Sequence, residues 1–240
     1  VMNIKNLVFA SASFHPNRKN FKYKKKDYIQ REVDYLFCLK QLIRVSPANF
    51  EIYVVDNTVR NSSELFNQEL ISLLSEMNVL YSQKNIAVET KNIGVGELEE
   101  LIYLSEECDL KGFDKVAYFS ARRFISNPYV FEKTQSLKKD ALLSNPDFIY
   151  LNGEIVESEK KGMFNDMFFS MQSKTMQDYI SFSRERLEYL EKNMVNSESN
   201  LYDFIRKFNI SYEELSILGF FRYDYYRGKS KNEADKYHFI

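Results

Sequence analysis

The chain has 240 residues, of which 44% are hydrophobic and 28% charged, and its formal net charge is −1. This composition excludes a disordered chain, and the charge gives no argument for binding nucleic acid. No apolar run approaches the roughly 20 residues that a membrane-spanning helix needs, and the start does not have the layout of a signal peptide. We therefore expect a cytoplasmic α/β protein in which Cys38 and Cys108 are buried, reduced thiols.

The first part of the sequence alternates strand and helix patterns, which argues for parallel βαβ units. The first strand ends in small residues, among them Ala10 and Ser11, which let a ligand approach the backbone closely. The second strand is the clearest of the chain, and it ends in Asp56 and Asn57. The predicted order is strand 6–14, helix 27–45, strand 50–58, helix 62–77 and strand 79–82.

The helix predicted at residues 27–45 follows a basic segment, residues 18–26, that carries six Lys or Arg side chains. This segment is interpreted as a solvated loop, as a basic flap over a phosphate donor, or as a contact with an anionic acceptor or a membrane surface. The helix itself has a mostly apolar stripe at helical spacing, formed by Ile29, Val33, Leu36, Phe37, Lys40 and Ile43.

A glycine-containing turn follows the third strand and leads into a helix that continues to about residue 107. It contains Asn92, Gly94, Gly96 and Glu97. Free backbone N–H groups at such a helix start could bind an anion or a polar ligand, and a plain turn is the alternative. The pattern is not a Rossmann fingerprint, because the third glycine is missing and the turn does not follow the first strand.

The central stretch of the sequence is a short apolar strand, residues 116–119, that opens directly into Arg122 and Arg123. Ligands of open α/β sheets bind beyond the carboxyl ends of the strands, so paired arginines at this position are placed to meet an anion. Structural salt bridges are the alternative role for either arginine.

The second half of the sequence predicts further strands and helices, and it contains two acidic residues of interest. Asp166 lies within an apolar stretch, where an acid needs a partner or a function. Glu198 lies at a helix start, where an acidic residue is common. The predicted order is helix 129–143, strand 148–151 with a turn at 152–153, strand 163–171, helix 174–192 and helix 201–208.

In its order of motifs the chain resembles the GT-A glycosyltransferases over roughly residues 6–208. The resemblance implies a Rossmann-like, mostly parallel central sheet flanked by helices, with a helical C-terminal part. It implies one catalytic domain, in which residues 1–128 bind the nucleotide sugar and residues 129–240 bind the acceptor. In that family an acid after the second strand holds the nucleotide, and the matching residue is Asp56.

The same resemblance extends to the donor pocket. Asn92, Gly94 and Gly96 resemble the Asn-Gly turn that follows the third strand of these enzymes. Ala10, Ser11, Asn57 and Glu97 are implied as neighbours of the donor, and His15 as a loop residue near it.

The central loop departs from the common GT-A pattern, in which an Asp-x-Asp motif binds a divalent metal. Here the loop reads Ser120-Ala121-Arg122-Arg123, and it resembles the arginine-containing loop of bacterial capsule and lipopolysaccharide-type transferases. A guanidinium meets diphosphate oxygens directly, whereas two carboxylates recruit a hard cation. The resemblance therefore implies transfer without a divalent metal and with no cofactor beyond the nucleotide-sugar donor.

The resemblance also implies a general base that removes the proton of the acceptor hydroxyl. Glu198 is the first choice and Asp166 the second, with plain structural roles as the alternative for each. The implied acceptor is a surface glycan or a lipid-linked glycan, with peripheral contact to the membrane allowed and no nucleic-acid partner. The rival hypotheses are a sugar-nucleotidyltransferase and a non-catalytic relative that binds a glycan or another partner; the oligomeric state is left open.

Overall fold

The computed structural model describes residues 5–16, 24–82, 92–144, 148–151, 154–157, 164–215, 220–222 and 238–239. Most of the basic segment, the turn at residues 152–153 and the tail beyond residue 222, except for residues 238–239, lie outside the described residues. No helix in the described part of the chain is long and apolar enough to cross a membrane.

Seven strands of the described chain form one sheet, and all but one of them run in the same direction. The exception is the strand formed by Asn165–Gln172, which is antiparallel to both of its neighbours. The α/β class with a mostly parallel sheet is therefore confirmed. In spatial order the strands are β10 (Tyr212–Leu215), β6 (Ala141–Ser144), β9 (Asn165–Gln172), β4 (Lys115–Ser120), β1 (Asn6–Ala12), β2 (Phe50–Asp56) and β3 (Asn78–Tyr81).

Helices cover both faces of this sheet, and alternate residues of β1 point to the two faces. The helices are α1 (Lys25–Val45), α2 (Gln68–Ser75), α3 (Ile93–Glu107), α4 (Tyr129–Ser136), α5 (Ser173–Lys192) and α6 (Ser197–Lys207). Val8 and Ala10 belong to the core beneath α1, α2 and α4, while Leu7 and Phe9 belong to the core beneath α3, α5 and α6.

The helix predicted at residues 129–143 is wrong in its second half. The helix ends at Ser136, and Ala141–Ser144 forms β6. Ala141 and Leu143 pack into the core beneath α3 and α5, whereas Leu142 packs into the opposite core. This alternation is that of a strand buried on both faces, and pairing with β9 and β10 stabilises it.

Two smaller sheets accompany the main one. β5 (Arg123–Ile125) pairs antiparallel with β11 (Phe220–Arg222), which pairs in turn with β12 (His238–Phe239). The second is an antiparallel pair formed by β7 (Phe148–Leu151) and β8 (Glu154–Glu157). Only Ala121 and Arg122 separate β4 from β5, so Arg122 lies between two sheets and Arg123 begins the smaller one.

The helix α1 is confirmed, but the faces of this helix are unusual. Its body-facing side contains apolar residues such as Leu39 and Leu42, together with the buried charged residues Arg31, Glu32 and Asp34. Most of the apolar stripe noted in the sequence lies on the solvent side, where Ile29, Val33, Phe37 and Ile43 are exposed. A surface helix ordinarily buries its apolar residues and exposes its charged ones, and α1 departs from this pattern by burying three charged residues and exposing four apolar ones.

Candidate functional site

The ends of three central strands meet at one edge of the sheet. Ala12, the last residue of β1, is level with Asp56 at the end of β2. Ser11 is level with Ser120 at the end of β4, and the backbone N–H of Ala121 donates to the Ser11 carbonyl at 2.9 Å. The polar strand ends that the sequence predicts are therefore adjacent at the carboxyl edge, where open α/β sheets bind ligands.

Asp56 ties together the loops that follow β1 and β2. Its side chain is completely buried. The carboxylate accepts hydrogen bonds from the backbone N–H groups of Phe14 at 2.6 Å, Thr58 at 2.6 Å and Val59 at 2.8 Å. Burial raises the pKa of Asp56, while these backbone hydrogen bonds oppose the rise. Asp56 therefore shapes the edge through the backbone of both loops; its predicted contact with a nucleotide stays a prediction.

A second buried carboxyl group, that of Glu100 in α3, joins the edge from the other face of the sheet. Ser11 donates its hydroxyl hydrogen to Glu100, and the backbone N–H of Asn57 also bonds to this carboxyl group. The Asn57 side-chain amide donates to the Gly96 carbonyl at 3.0 Å. Burial, helped by the charges of Asp56 and Glu97, raises the pKa of Glu100 well above its usual value. These contacts fix the start of α3 against the ends of β1 and β2.

Sequence reasoning missed Glu100, although a signal was present. The α3 sequence has apolar residues at helical spacing, such as Leu98, Leu101 and Ile102, and Glu100 falls inside this pattern. An acid at a core-facing position needs a polar partner, and here Ser11 is that partner.

The residues of the predicted glycine turn lie at the start of α3 and contact the later helices. The Asn92 side-chain amide donates to the carbonyls of Leu190 at 3.1 Å and Val195 at 2.8 Å. A Cβ atom at Gly94 would lie 2.5 Å from the backbone nitrogen of Ser197, the first residue of α6. The glycines belong to the first turn of the helix, and at Gly94 the close approach is with α6. Their donor-binding role stays a prediction.

Glu198 lies in the first turn of α6, next to this contact. Ser197 donates its hydroxyl hydrogen to Glu97 at 3.1 Å, which links the starts of α6 and α3. Asn196 caps α6 by accepting from the backbone N–H of Ser199 at 2.9 Å, and its side-chain amide donates to Glu198 at 3.1 Å. The candidate base is thus half-buried and begins its helix beside the first turn of α3.

Asp166 reaches the same edge from the antiparallel strand β9. In that strand Phe168 pairs with Phe119, one residue before the end of β4. Asp166 lies two residues earlier, so its backbone is at the carboxyl edge of the parallel strands. Both residues proposed as base from the sequence therefore belong to elements that begin at this edge.

Arg122 and Arg123 occupy different environments. Arg122 is half-buried in the turn after β4, and its positive charge acts on the carboxyl group of Asp34 in α1. Burial raises the pKa of Asp34, whereas Arg122 and Arg31 oppose that rise. Arg123 is the first residue of β5 and pairs through its backbone with Arg222 in β11. Arg122 is therefore the member of the pair that lies in the turn itself.

The buried polar face of α1 supports the loop after β1, which the sequence did not indicate. The Glu32 side chain is fully buried and accepts from the backbone N–H groups of Phe66 at 2.9 Å and Asn67 at 2.6 Å. It also bonds to Nε2 of His15, whose ring stacks on Phe66. Arg31 donates to the Ser13 carbonyl. The early signal was the presence of charged residues among the core positions of the helix.

The side chains after β4 do not fit a divalent metal, because the loop presents guanidinium groups where oxygen ligands are needed. In the ranges that the structure describes, no group of three or more His, Cys, Asp or Glu side chains is placed to hold a metal ion.

No protein-family model and no curated protein matches the sequence. Among solved structures, a protein from Desulfovibrio desulfuricans assigned as a nucleotide-diphospho-sugar transferase matches at a TM-score of 0.53 and 8% identity, over 88% of this chain and 80% of that one. A 4-diphosphocytidyl-2C-methyl-D-erythritol synthase from Anaerococcus prevotii matches at a TM-score of 0.49 and 12% identity, over 89% of each chain. The first likeness shows a shared fold.

Proposed function

We propose that the protein is a glycosyltransferase that moves a sugar from a nucleoside-diphosphate sugar to a hydroxyl group of a surface glycan. The observation that carries this proposal is the position of Arg122, which lies in the turn after β4 at the carboxyl edge of a mostly parallel sheet. At that edge the ends of β1 and β2 are held by the buried carboxyl groups of Asp56 and Glu100. The fold shared with the Desulfovibrio protein is consistent with this use of the edge.

In this proposal Arg122 binds the diphosphate of the donor, with Arg123 as its neighbour. The forked N–H donors of a guanidinium match two phosphate oxygens, and the positive charge stabilises the leaving nucleoside diphosphate. Neither contribution needs a metal ion. Asp56 acts on the nucleotide through the loops after β1 and β2, because its own carboxylate already accepts three backbone hydrogen bonds.

The acceptor side of the reaction needs a base. As the acceptor hydroxyl oxygen forms its bond to the anomeric carbon, a carboxylate takes the hydroxyl proton, and the bond to the diphosphate breaks with its electron pair on the leaving group. Glu198 is assigned this role, since its helix starts against the first turn of α3. Asp166, whose backbone lies near the end of β4, is the second candidate.

The donor site is tested by thermal shift with UDP, GDP, CMP and dTDP, each with EDTA and with Mn²⁺. At about 100 times the dissociation constant a ligand adds about 2.7 kcal/mol to the stability of the native state, which is a rise of about 5–10 °C in Tm for a chain of this size. We expect one nucleotide class to give such a rise in EDTA, and Arg122→Ala to abolish it. Arg184→Ala is the matched control, because Arg184 is exposed on α5 and pairs with Glu106. If none of the four nucleotides raises the Tm, the proposal is contradicted.

The assignment of Glu198 as the base is tested by measuring kcat for transfer of the sugar from the donor. Glu198→Gln should lower kcat by about 10²–10⁴-fold and leave the nucleotide-dependent rise in Tm unchanged, because the base acts on the acceptor. Asp166→Asn is the comparison variant, and a selective loss of kcat in that variant alone would move the assignment to Asp166. Nucleotide binding with no turnover in the wild-type protein would favour the non-catalytic alternative.

A further inference from the structure

The outer face of α1 has a composition that sets it apart from the rest of the chain. Its exposed side chains are either basic or apolar, whereas the whole chain has 33 basic and 34 acidic residues. The eight exposed residues of this helix are Lys25, Lys26, Ile29, Val33, Phe37, Lys40, Ile43 and Arg44.

The acidic residues of α1 are turned away from this face. Glu32 and Asp34 are buried against the body of the protein. Asp27 is half-buried, and its carboxylate accepts from the backbone N–H of Lys24 at the helix start. The buried Glu32 is satisfied by hydrogen bonds within the protein, so the feature that points to a binding role is the exposed strip of Ile, Val and Phe side chains.

The apolar residues form a continuous line along the helix. Ile29, Val33 and Phe37 are one turn apart and are 39%, 39% and 67% exposed. Lys26 and Arg44 lie on the same line at its two ends, since 18 residues make about five helical turns and span about 27 Å. The face is thus a strip of apolar side chains between two cationic ends.

We propose that this outer face of α1 docks on an anionic lipid surface. The apolar side chains would enter the boundary between headgroups and acyl chains, while Lys26 and Arg44 at the two ends meet lipid phosphates; Lys40 pairs with Glu69 of α2. The charge pattern of this face favours a lipid surface over a second copy of the chain as its partner. A symmetric dimer would bring the same face of each copy together, so the basic ends would meet without any acidic partner on the helix.

The docking is independent of glycosyl transfer, because it uses none of the side chains assigned to the donor or to the base. The thermal shift with nucleotides, measured without vesicles, reports on the donor site alone. A failure of one proposal can therefore be told from a failure of the other.

The experiment is sedimentation of the full chain with vesicles of phosphatidylcholine alone or with added phosphatidylglycerol. We expect binding only to the vesicles that contain phosphatidylglycerol. Phe37→Ser should weaken this binding about tenfold, from the loss of one inserted aromatic side chain. Removing two cations with Lys26→Ala and Arg44→Ala together should weaken it about thirtyfold. Tyr189→Ser is the matched control, because Tyr189 is 53% exposed on α5, on the other face of the sheet.

Two outcomes would overturn the proposal. The first is no binding to the anionic vesicles, or equal binding by the wild-type protein and by Phe37→Ser, with melting curves showing that both are folded. The second comes from sedimentation velocity: a wild-type dimer that Phe37→Ser converts to a monomer, without vesicle binding, would make the face a protein interface.

Discussion

Replacing Gly94 by alanine tests whether the starts of α3 and α6 are packed as closely as the structure has them. The added Cβ atom would lie 2.5 Å from the Ser197 backbone nitrogen, 3.0 Å from the Ser197 hydroxyl oxygen and 3.2 Å from the Asn196 carbonyl carbon. Favourable non-bonded contacts between heavy atoms are about 3.5 Å or longer. Two of the three atoms are backbone atoms, so the start of α6 must move by about 1 Å to accept the methyl group.

The cost of this movement follows from the packing of the two helices. Overpacking a close contact destabilises a protein by about 1–3 kcal/mol. The helix propensity of alanine is better than that of glycine by up to about 1 kcal/mol, and this difference offsets part of the overpacking cost. We expect a net loss of about 1–2 kcal/mol in the free energy of unfolding, or a fall of about 2–8 °C in Tm. Urea denaturation followed by circular dichroism measures the first and a thermal melt the second.

Gly112→Ala provides the control within the same chain. A Cβ atom at Gly112 would meet no atom within 4 Å, so its stability should change by less than about 0.5 kcal/mol. Equal stabilities of the two variants would refute the packing argument. A Gly94→Ala variant of unchanged stability that no longer responds to nucleotides would instead show that the glycine serves a ligand.

Two further predictions concern buried polar groups at the same edge. Because the pKa of Glu100 is raised on folding, the native state keeps a proton that the unfolded state loses, and stability should fall as the pH rises above about 4.5. Urea denaturation at a series of pH values above about 4.5 measures this. The free energy of unfolding of the wild-type protein should fall by about 1.4 kcal/mol per pH unit relative to that of Glu100→Gln. The same pH dependence in both proteins would contradict the prediction. Asn92→Ala should cost about 1–3 kcal/mol, since the half-buried Val195 carbonyl loses its side-chain donor and the buried Leu190 carbonyl, which also accepts from the Val195 N–H, loses one of two donors. Asn193→Ala is the control, because Asn193 is exposed and donates to the Tyr189 carbonyl. Equal losses of unfolding free energy in the two alanine variants would contradict the prediction.

The location of the candidate site could be predicted from the sequence. The apolar runs 52–55 and 116–119 are each followed at once by polar residues, and alternation with helices indicates parallel strands. Parallel strands bring their carboxyl ends to one edge, and in the structure the ends of these two strands lie on either side of β1 at that edge. The roles of Asp56 and Arg122 toward a ligand stay predictions.

The contacts of individual side chains could not be predicted, because their partners come from distant parts of the chain. Glu100 bonds to Ser11, which is 89 positions away, and Asn92 bonds to the carbonyl of Val195, 103 positions away. A sequence pattern identifies a polar residue at a core position, but it does not say which loop or helix provides the hydrogen bond.

Two errors of sequence reading have physical causes of the same kind. Ala141–Ser144 is too short for its periodicity to separate strand from helix, and its state is decided by pairing with β9 and β10. In α1 the spacing of the apolar residues correctly indicates a helix. It does not identify the buried face, because His15 and the backbone N–H groups of Phe66 and Asn67 satisfy the buried Glu32.

The order of the strands also has a consequence for biosynthesis. The strands β1, β2, β3 and β4 are neighbours in the sheet, so a nascent chain can pair them once Ser120 has left the ribosome. The next strand of the same sheet to be made is β6, but its neighbours are β9 and β10, which are synthesised later. An apolar strand without a partner is prone to aggregate. Between the synthesis of Ser144 and that of Gln172, β6 therefore has neither of its partner strands, and this is the interval in which its apolar residues are open to aggregation.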